Sequence, residues 1–462
     1  MSPDLDRAHD EIRQAQQHLI WAQQALLGVE PAPDVITDRD PRPLPALPTI
    51  AVGEVIPDPT FRSRIVRVTG PETVSGEPFQ VVSYRSSDSP MQRSWNATIS
   101  RLTVEDTYGS QHVFSFEPGP MRARYLRRVP FDRRRESPVV PPSTVVPFNG
   151  SDCAWHDVDP DRLYGRSGNK IIKCFDFSTE QMTTVVDLDT LGLNLPVESY
   201  TSGVCVMADT LLTVCGGAVN DDNHIIVVGP LTAPAWRTLD TLTLTQFNNG
   251  RGFVLHSTVL DLTGRYVLMV PSQKSGVVGG HLFTWDLQTD EITEITVAVS
   301  GHFAIGRAEW VNQDCAPGSP WDAAQWTWRT FAQPDTVVNC IDPVLQPQEI
   351  YLAEHPSWTN MVDAGTPFVS ATYRYQMTDV PWRAWDDEVI TVNPTSGEVR
   401  RQAHHRSQVL TPAGVWDYWA TPRACVSPDG RFAVFTSNWG RTLGTDTVEG
   451  GDRQDAFVVE LR

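Results

Sequence analysis

Near the N-terminus the apolar positions are Leu5, Ala8, Ile12, Ala15, Leu19, Ala22 and Leu26, with spacings that alternate three and four. That pattern predicts a helix with a coiled-coil seam. Ser2 supplies an N-cap, Pro3 fits the first turn, and Gly28 supplies a stop, so segment 1–28 holds one helix of roughly 25 residues. Layers of Leu and Ile alternate with layers of Ala, while Ile20, Trp21 and Leu27 form a second apolar strip. A helix this short is marginal alone. It is therefore expected to pack against copies of itself or a larger partner through residues 4–27, with folding back onto its own chain as the competing expectation. Pro at 31, 33, 41, 43, 45 and 48 then predicts a stiff spacer over 29–56 that holds the helix away from the body.

From residue 57 onward the apolar pattern is that of short strands separated by turns. Pro422–Leu461 is the clearest copy: an apolar segment, a Ser427-Pro428-Asp429-Gly430 turn, the alternating stretch Arg431–Thr436 and a last strand Ala456–Leu461. Similar units start near Trp95, Trp155, Ser202, His256, His302, His355 and Pro422, at intervals of roughly 46 to 67 residues. Turn copies recur at Asp159-Pro160-Asp161 and Asp261-Leu262-Thr263-Gly264, and outer-strand copies at Trp285-Asp286-Leu287-Gln288-Thr289. The pattern predicts an all-β fold, a seven-bladed β-propeller over 57–462. Because an unpaired edge invites aggregation, the isolated strand Arg64–Thr69 is expected to share the last blade with Ala456–Leu461. Residues 312–347 are poor in strand signals and carry Trp321, Trp326 and Trp328, which read as a loop that covers a blade edge or serves as a ligand platform.

Composition narrows the function classes. The 15 Trp suit a globular β protein, and 36 Pro and 31 Gly supply its turns. A formal charge of -19 argues against a nucleic-acid partner, since phosphate binding needs a basic stripe. The arginines between Arg122 and Arg135 are the local exception and read as a solvated edge. No apolar run is long enough for a membrane span, and the first residues lack the pattern of a signal peptide, so synthesis and retention in a cytoplasm, or exit by another route, are expected. Seven Cys, scattered and never spaced Cys-x-x-Cys, read as buried reduced thiols.

Candidate chemistry lies at the blade starts. His256, His302 and His355 recur there, and the pair His404-His405 precedes the last blade, so several imidazoles either converge on a metal in the central channel or hydrogen-bond within their own blades. The run DPTFRSRIVRVT, Trp95-Asn96, His404-His405-Arg406-Ser407, Tyr418-Trp419, Pro422-Arg423 and SPDGRFAVFTSNWG resembles bacterial seven-bladed propellers of the oligogalacturonate lyase type and their uncharacterised relatives. The resemblance implies a divalent metal held by a Gln-x-His-x-His-like cluster ahead of the last-blade turn. Here Thr421-Pro422-Arg423-Ala424-Cys425 occupies that run, so no metal cofactor is expected. Arg423 remains a candidate for a uronate carboxylate or for a salt bridge within its blade. No Gly-x-Ser-x-Gly, His-Glu-x-x-His or phosphate loop appears.

Two readings follow. One is a non-catalytic binding or structural module on a helical anchor, such as a phage tail appendage that meets a bacterial surface glycan through Arg423, His404, His405 and the tryptophans at 321, 326 and 328. The other is a polyuronate lyase that uses the channel histidines.

Overall fold

The computed structural model describes residues 35–462 apart from 74–80, 88–92, 130–152, 168–169, 197–198, 200, 218–221, 233–234, 248–249, 273–280, 297–301, 315–324, 342–354 and 375–380. The helix expected over 4–27 and Trp321 lie outside the described residues. The described strands pair into seven antiparallel sheets, six of four strands and one of five. Taken in chain order, blades I to VII open on the first strands Tyr84–Arg85, Cys153–Trp155, Ser202–Met207, Leu255–Leu260, Phe303–Ile305, Pro356–Ser357 and Cys425–Val426. First strands of successive blades touch one another, as in II with III, III with IV, V with VI and VI with VII, so they line the central axis. Six of the expected starts fall within a few residues of these strands. Blade I instead begins at Tyr84, and its first strand resumes only at Trp95, which bridges Leu102.

Closure follows from alternation. Ile65, Val66 and Arg67 pair with Val459, Val458 and Phe457, and Val55–Pro57 adds a fifth strand outside them. Ile65, Val66, Val458 and Val459 are all buried, so a slip of one residue would turn this apolar set to the wrong faces. Arg64 fastens the same join by donating Nε and Nη2 to the two carboxylate oxygens of Glu460, each at 2.8 Å.

Connections from first to second strand are mostly tight and built on Asx turns. The Asp261 carboxylate accepts the Thr263, Arg265 and Tyr266 amides, and Asp429 accepts that of Arg431. Gly264 has φ +70°, and a Cβ there would come within 2.8 Å of the Met207 carbonyl. Asp176, Asp286 and Asn393 build the turns from third to fourth strand in the same way. Strands alternate in direction, so both sets of turns open on one face. The second-to-third and blade-to-blade connections, including 405–424 and 438–454, open on the other, here the loop face.

Two expectations are corrected. The described part of 312–347 is not a loop: Glu309–Asp314, Gln325–Thr330 and Gln333–Asn339 are strands of blade V. The last of these is almost wholly exposed, so no apolar alternation marked it. Nor do residues 35–50 stand off as a spacer. They lie extended along blades VI and VII, where Ile36 bridges Arg401 and several further carbonyls of this proline-rich segment accept side-chain donors. Arg401 Nη1 donates to the Asp40 carbonyl at 2.7 Å, His404 Nε2 to Arg42 at 2.9 Å, Trp439 Nε1 to Pro48 at 2.8 Å and Arg67 Nη1 to Ile50 at 3.1 Å. The arginine-rich strip forms the outermost strand of blade I, Arg122–Arg128, alternately exposed as a solvated edge should be. Among the described residues, no helix is long and apolar enough to cross a membrane.

Candidate functional site

Four successive blades place a basic side chain at the same level, where the chain leaves the loop face and enters a first strand. His256 lies at the start of blade IV, His302 and His355 directly precede the first strands of blades V and VI, and Arg423 precedes that of blade VII. The rings of His302 and His355 stack with centroids 3.8 Å apart and planes at 24°. His256 is exposed, and His302 and His355 are partly so. Nδ1 of His355 is buried and has no hydrogen-bond partner. Burial, together with the positive neighbours His302, Arg423 and His256, holds the His355 imidazole well below its ordinary pKa, so it is neutral near pH 7. The structure thus brings His302 and His355 together, with His256 near enough for its charge to act on His355.

Arg423 sits behind this group rather than in it, being only 1% exposed. Its backbone has φ +39°, Nε donates to the Thr421 hydroxyl at 2.7 Å, and Nη2 donates to the Tyr418 carbonyl at 2.6 Å. These two contacts fix the orientation of the guanidinium. It stacks on Tyr418 at 4.6 Å and on Trp419 at 5.2 Å, and Arg85 stacks on Trp419 at 4.4 Å. Arg93 of blade I reaches past blade II to the Met207 sulfur at 3.3 Å, and its charge is felt by the buried thiols of Cys205 and Cys425. Sequence reasoning missed Arg85, Arg93 and Trp419 as parts of this site. Tyr418-Trp419 followed by Arg423 was the available signal; Arg85 and Arg93 carry none, because their roles depend on blade contacts far apart in sequence.

The remaining candidates lie elsewhere. His404 ends the outermost strand of blade VI, buried beneath the 35–50 segment, 3.8 Å from Asp58. His405 donates Nε2–H to the Thr372 carbonyl at 2.7 Å and accepts the Ser407 amide on Nδ1 at 3.0 Å, so both ring nitrogens are used inside the protein. Neither imidazole is at the channel, because the chain has to cross from the outer strand of blade VI to the inner strand of blade VII after residue 405. Trp326 is fully buried in the core, which takes it out of the role of an exposed platform, while Trp328 is partly buried and donates its indole N–H to Glu309 at 2.8 Å.

A divalent metal does not fit this donor set. The rings of His302 and His355 are stacked face to face, a poor arrangement for two nitrogen ligands of one tetrahedral ion. The Thr421 hydroxyl is taken by Arg423, and burial pushes the Cys425 thiol above its ordinary pKa. Among the described residues, no three His, Cys, Asp or Glu side chains come together in a metal-holding group.

Fold and site together define a seven-bladed β-propeller, closed by strands from both ends of the chain, with a histidine-rich mouth on its loop face. The chain is similar in fold to an oligogalacturonate lyase in complex with manganese, at TM-score 0.55 and 13% identity over 89% of this chain and 99% of that one. It is likewise similar to an oligogalacturonate lyase from Vibrio parahaemolyticus, at TM-score 0.52 and 9% identity over the same shares of the two chains. Identities this low carry the fold alone. No family model matches the chain. No curated protein matches it in sequence.

Proposed function

We propose that this protein is a non-catalytic propeller module that binds a carboxylate-bearing glycan at the mouth of its channel. The observation that carries the reading is the ring of His256, His302 and His355, backed by Arg423, at equivalent positions of four successive blades. A neutral His355 can present an N–H to a carboxylate oxygen. Arg423, whose charge acts on His355, lies beside it and stacks on Tyr418 and Trp419. The same positive neighbours that depress the His355 pKa would be offset by a bound anion. Fold likeness to oligogalacturonate lyases makes galacturonate oligomers the first ligands to try. A polyuronate lyase is the competing reading, and the same likeness favours it. It lacks support in the donor set, since the metal that would stabilise charge at the C6 carboxylate finds no three convergent ligands among the described residues. Calorimetric titration with trigalacturonate, beside an assay for unsaturated product, separates the two.

In this reading residues 4–27 anchor the propeller in an oligomer or a larger assembly, in the manner of a phage tail appendage. Deleting them is expected to convert an oligomer into a monomer by light scattering, with the β-sheet circular dichroism retained. An unchanged mass would contradict the anchor.

A further inference from the structure

The most exposed large apolar side chain among the described residues is Val415 at 62%, and Trp416 beside it is 42% exposed. They form the tip of a small hairpin on the loop face, in the blade VI to blade VII connection. Leu410 bridges Trp416, Thr411 and Val415 exchange backbone and hydroxyl hydrogen bonds at 2.7 and 3.1 Å, and the Asp417 amide donates to the Val409 carbonyl at 2.7 Å. The turn depends on Gly414 at φ +74°. At its base the Asp417 carboxylate caps a short 3-10 turn by accepting the Trp419 amide at 3.0 Å. An apolar tip held this firmly loses little entropy when a ligand settles on it.

Its placement says what kind of ligand. Trp416 meets Tyr418 edge-on with centroids 5.5 Å apart, and Tyr418 meets Trp419 at 5.1 Å and 76°. Arg423 lies over both Tyr418 and Trp419. Aromatic rings thus step from solvent to Arg423, whose charge acts on His355 in the mouth. The exposed patch is only two residues wide, far below the roughly 1,000 Å² that a specific protein interface clears. An indole face flanked by polar groups suits one flat ring with C–H bonds on one side and hydroxyls at its edge.

We propose that the Val409–Trp419 hairpin is a second subsite, in which Trp416 stacks against a pyranose ring of the glycan whose carboxylate-bearing end occupies the histidine mouth. The proposal rests on the binding reading above, and it predicts that length matters: an oligosaccharide gains affinity from a ring outside the mouth, while a single sugar does not reach Trp416.

The test compares galacturonate with trigalacturonate by calorimetry, on the full chain and on Trp416→Ala, Trp416→Phe and His256→Ala. The intact protein is expected to bind the trimer at least about tenfold more tightly than the monomer, a gain of about 1.4 kcal/mol. Trp416→Ala should erase that gain and leave monomer binding unchanged, Trp416→Phe should keep most of it, and His256→Ala should weaken both sugars. A trimer advantage that survives Trp416→Ala overturns the subsite while the mouth stands. Loss of trimer binding in Trp416→Ala with no effect of His256→Ala overturns the mouth while the aromatic subsite stands. Absence of binding by either sugar overturns both.

Discussion

Asp387 and His405 face each other at 4.0 Å in the buried seam beside blade VI, and burial shifts them in opposite directions. The Asp387 carboxyl is pushed up to about 7, by burial first and the neighbouring Asp386 charge second, and the His405 imidazole is pulled down to about 3. For Asp387 the folded pKa lies above the ordinary value of 3.8, so its stabilisation is fully present at acid pH and is lost as pH rises through about 7. For His405 the folded value lies below the ordinary 6.5, so stability falls as pH drops from there toward about 3. Asp387→Asn keeps an acceptor for the Arg374 amide, which the Asp387 side chain receives at 2.8 Å, and removes only the alkaline loss. Its melting temperature relative to the parent protein should therefore climb between about pH 4 and about pH 7 and level off above. A difference that stays flat across that range would contradict the assignment. The sequence showed His404-His405 as a conspicuous pair, yet gave no means of seeing that Val399–His404 is an outer strand. Burial against Phe61, Asp58 and Thr372, which decides the role of both imidazoles, is set by contacts more than 30 residues away.

The 35–50 segment shows how an element's composition can be read correctly and its placement missed. Its four prolines, at 41, 43, 45 and 48, announced an extended conformation, and extended it is. What the prolines could not announce is that Arg401, Arg406, His404 and Trp439 wait on blades VI and VII with donors for its carbonyls. Arg401 is the hinge pin: its side chain is fully buried, paired to both oxygens of Glu388 at 2.9 and 2.6 Å and to Asp38 at 2.9 Å. Arg401→Ala leaves Glu388 buried without its partner, a change worth about 3–5 kcal/mol in comparable buried pairs. It should also free the segment, so limited proteolysis is expected to cut between 35 and 50 in the variant at protease levels that leave the parent chain whole. Equal resistance of the two chains would show that the segment is held by other contacts. Blades were legible where alternation was clean, as in blade VII, and illegible in blade V, where Gln333–Asn339 faces solvent on both sides.

At the scale of the whole molecule, two asymmetries meet. Tight Asx turns close one face of the ring while the long connections and the four basic blade starts gather on the other, so the scaffold is rigid where it turns and variable where it can recognise. The chain carries a formal charge of -19, which repels an acidic polymer at a distance, so binding has to rest on short-range contacts at the mouth, where His302 and His355 stack with His256 and Arg423 nearby. The propeller and its closing blade could be read from the repeat, and the three channel histidines from their common position in it. The aromatic surface could not, because Trp326 and Trp416 differ only in whether the fold buries them. The central claim is that this mouth binds an acidic sugar without cleaving it. Trigalacturonate should be titrated into the intact protein and into His256→Ala, with and without added manganese, while ultraviolet absorbance follows any unsaturated product. The account predicts saturable binding that is weakened about tenfold or more by His256→Ala, unchanged by manganese and accompanied by no product, a loss of at least about 1.4 kcal/mol. Unsaturated product that appears only with manganese and disappears in His256→Ala would contradict it and establish a lyase.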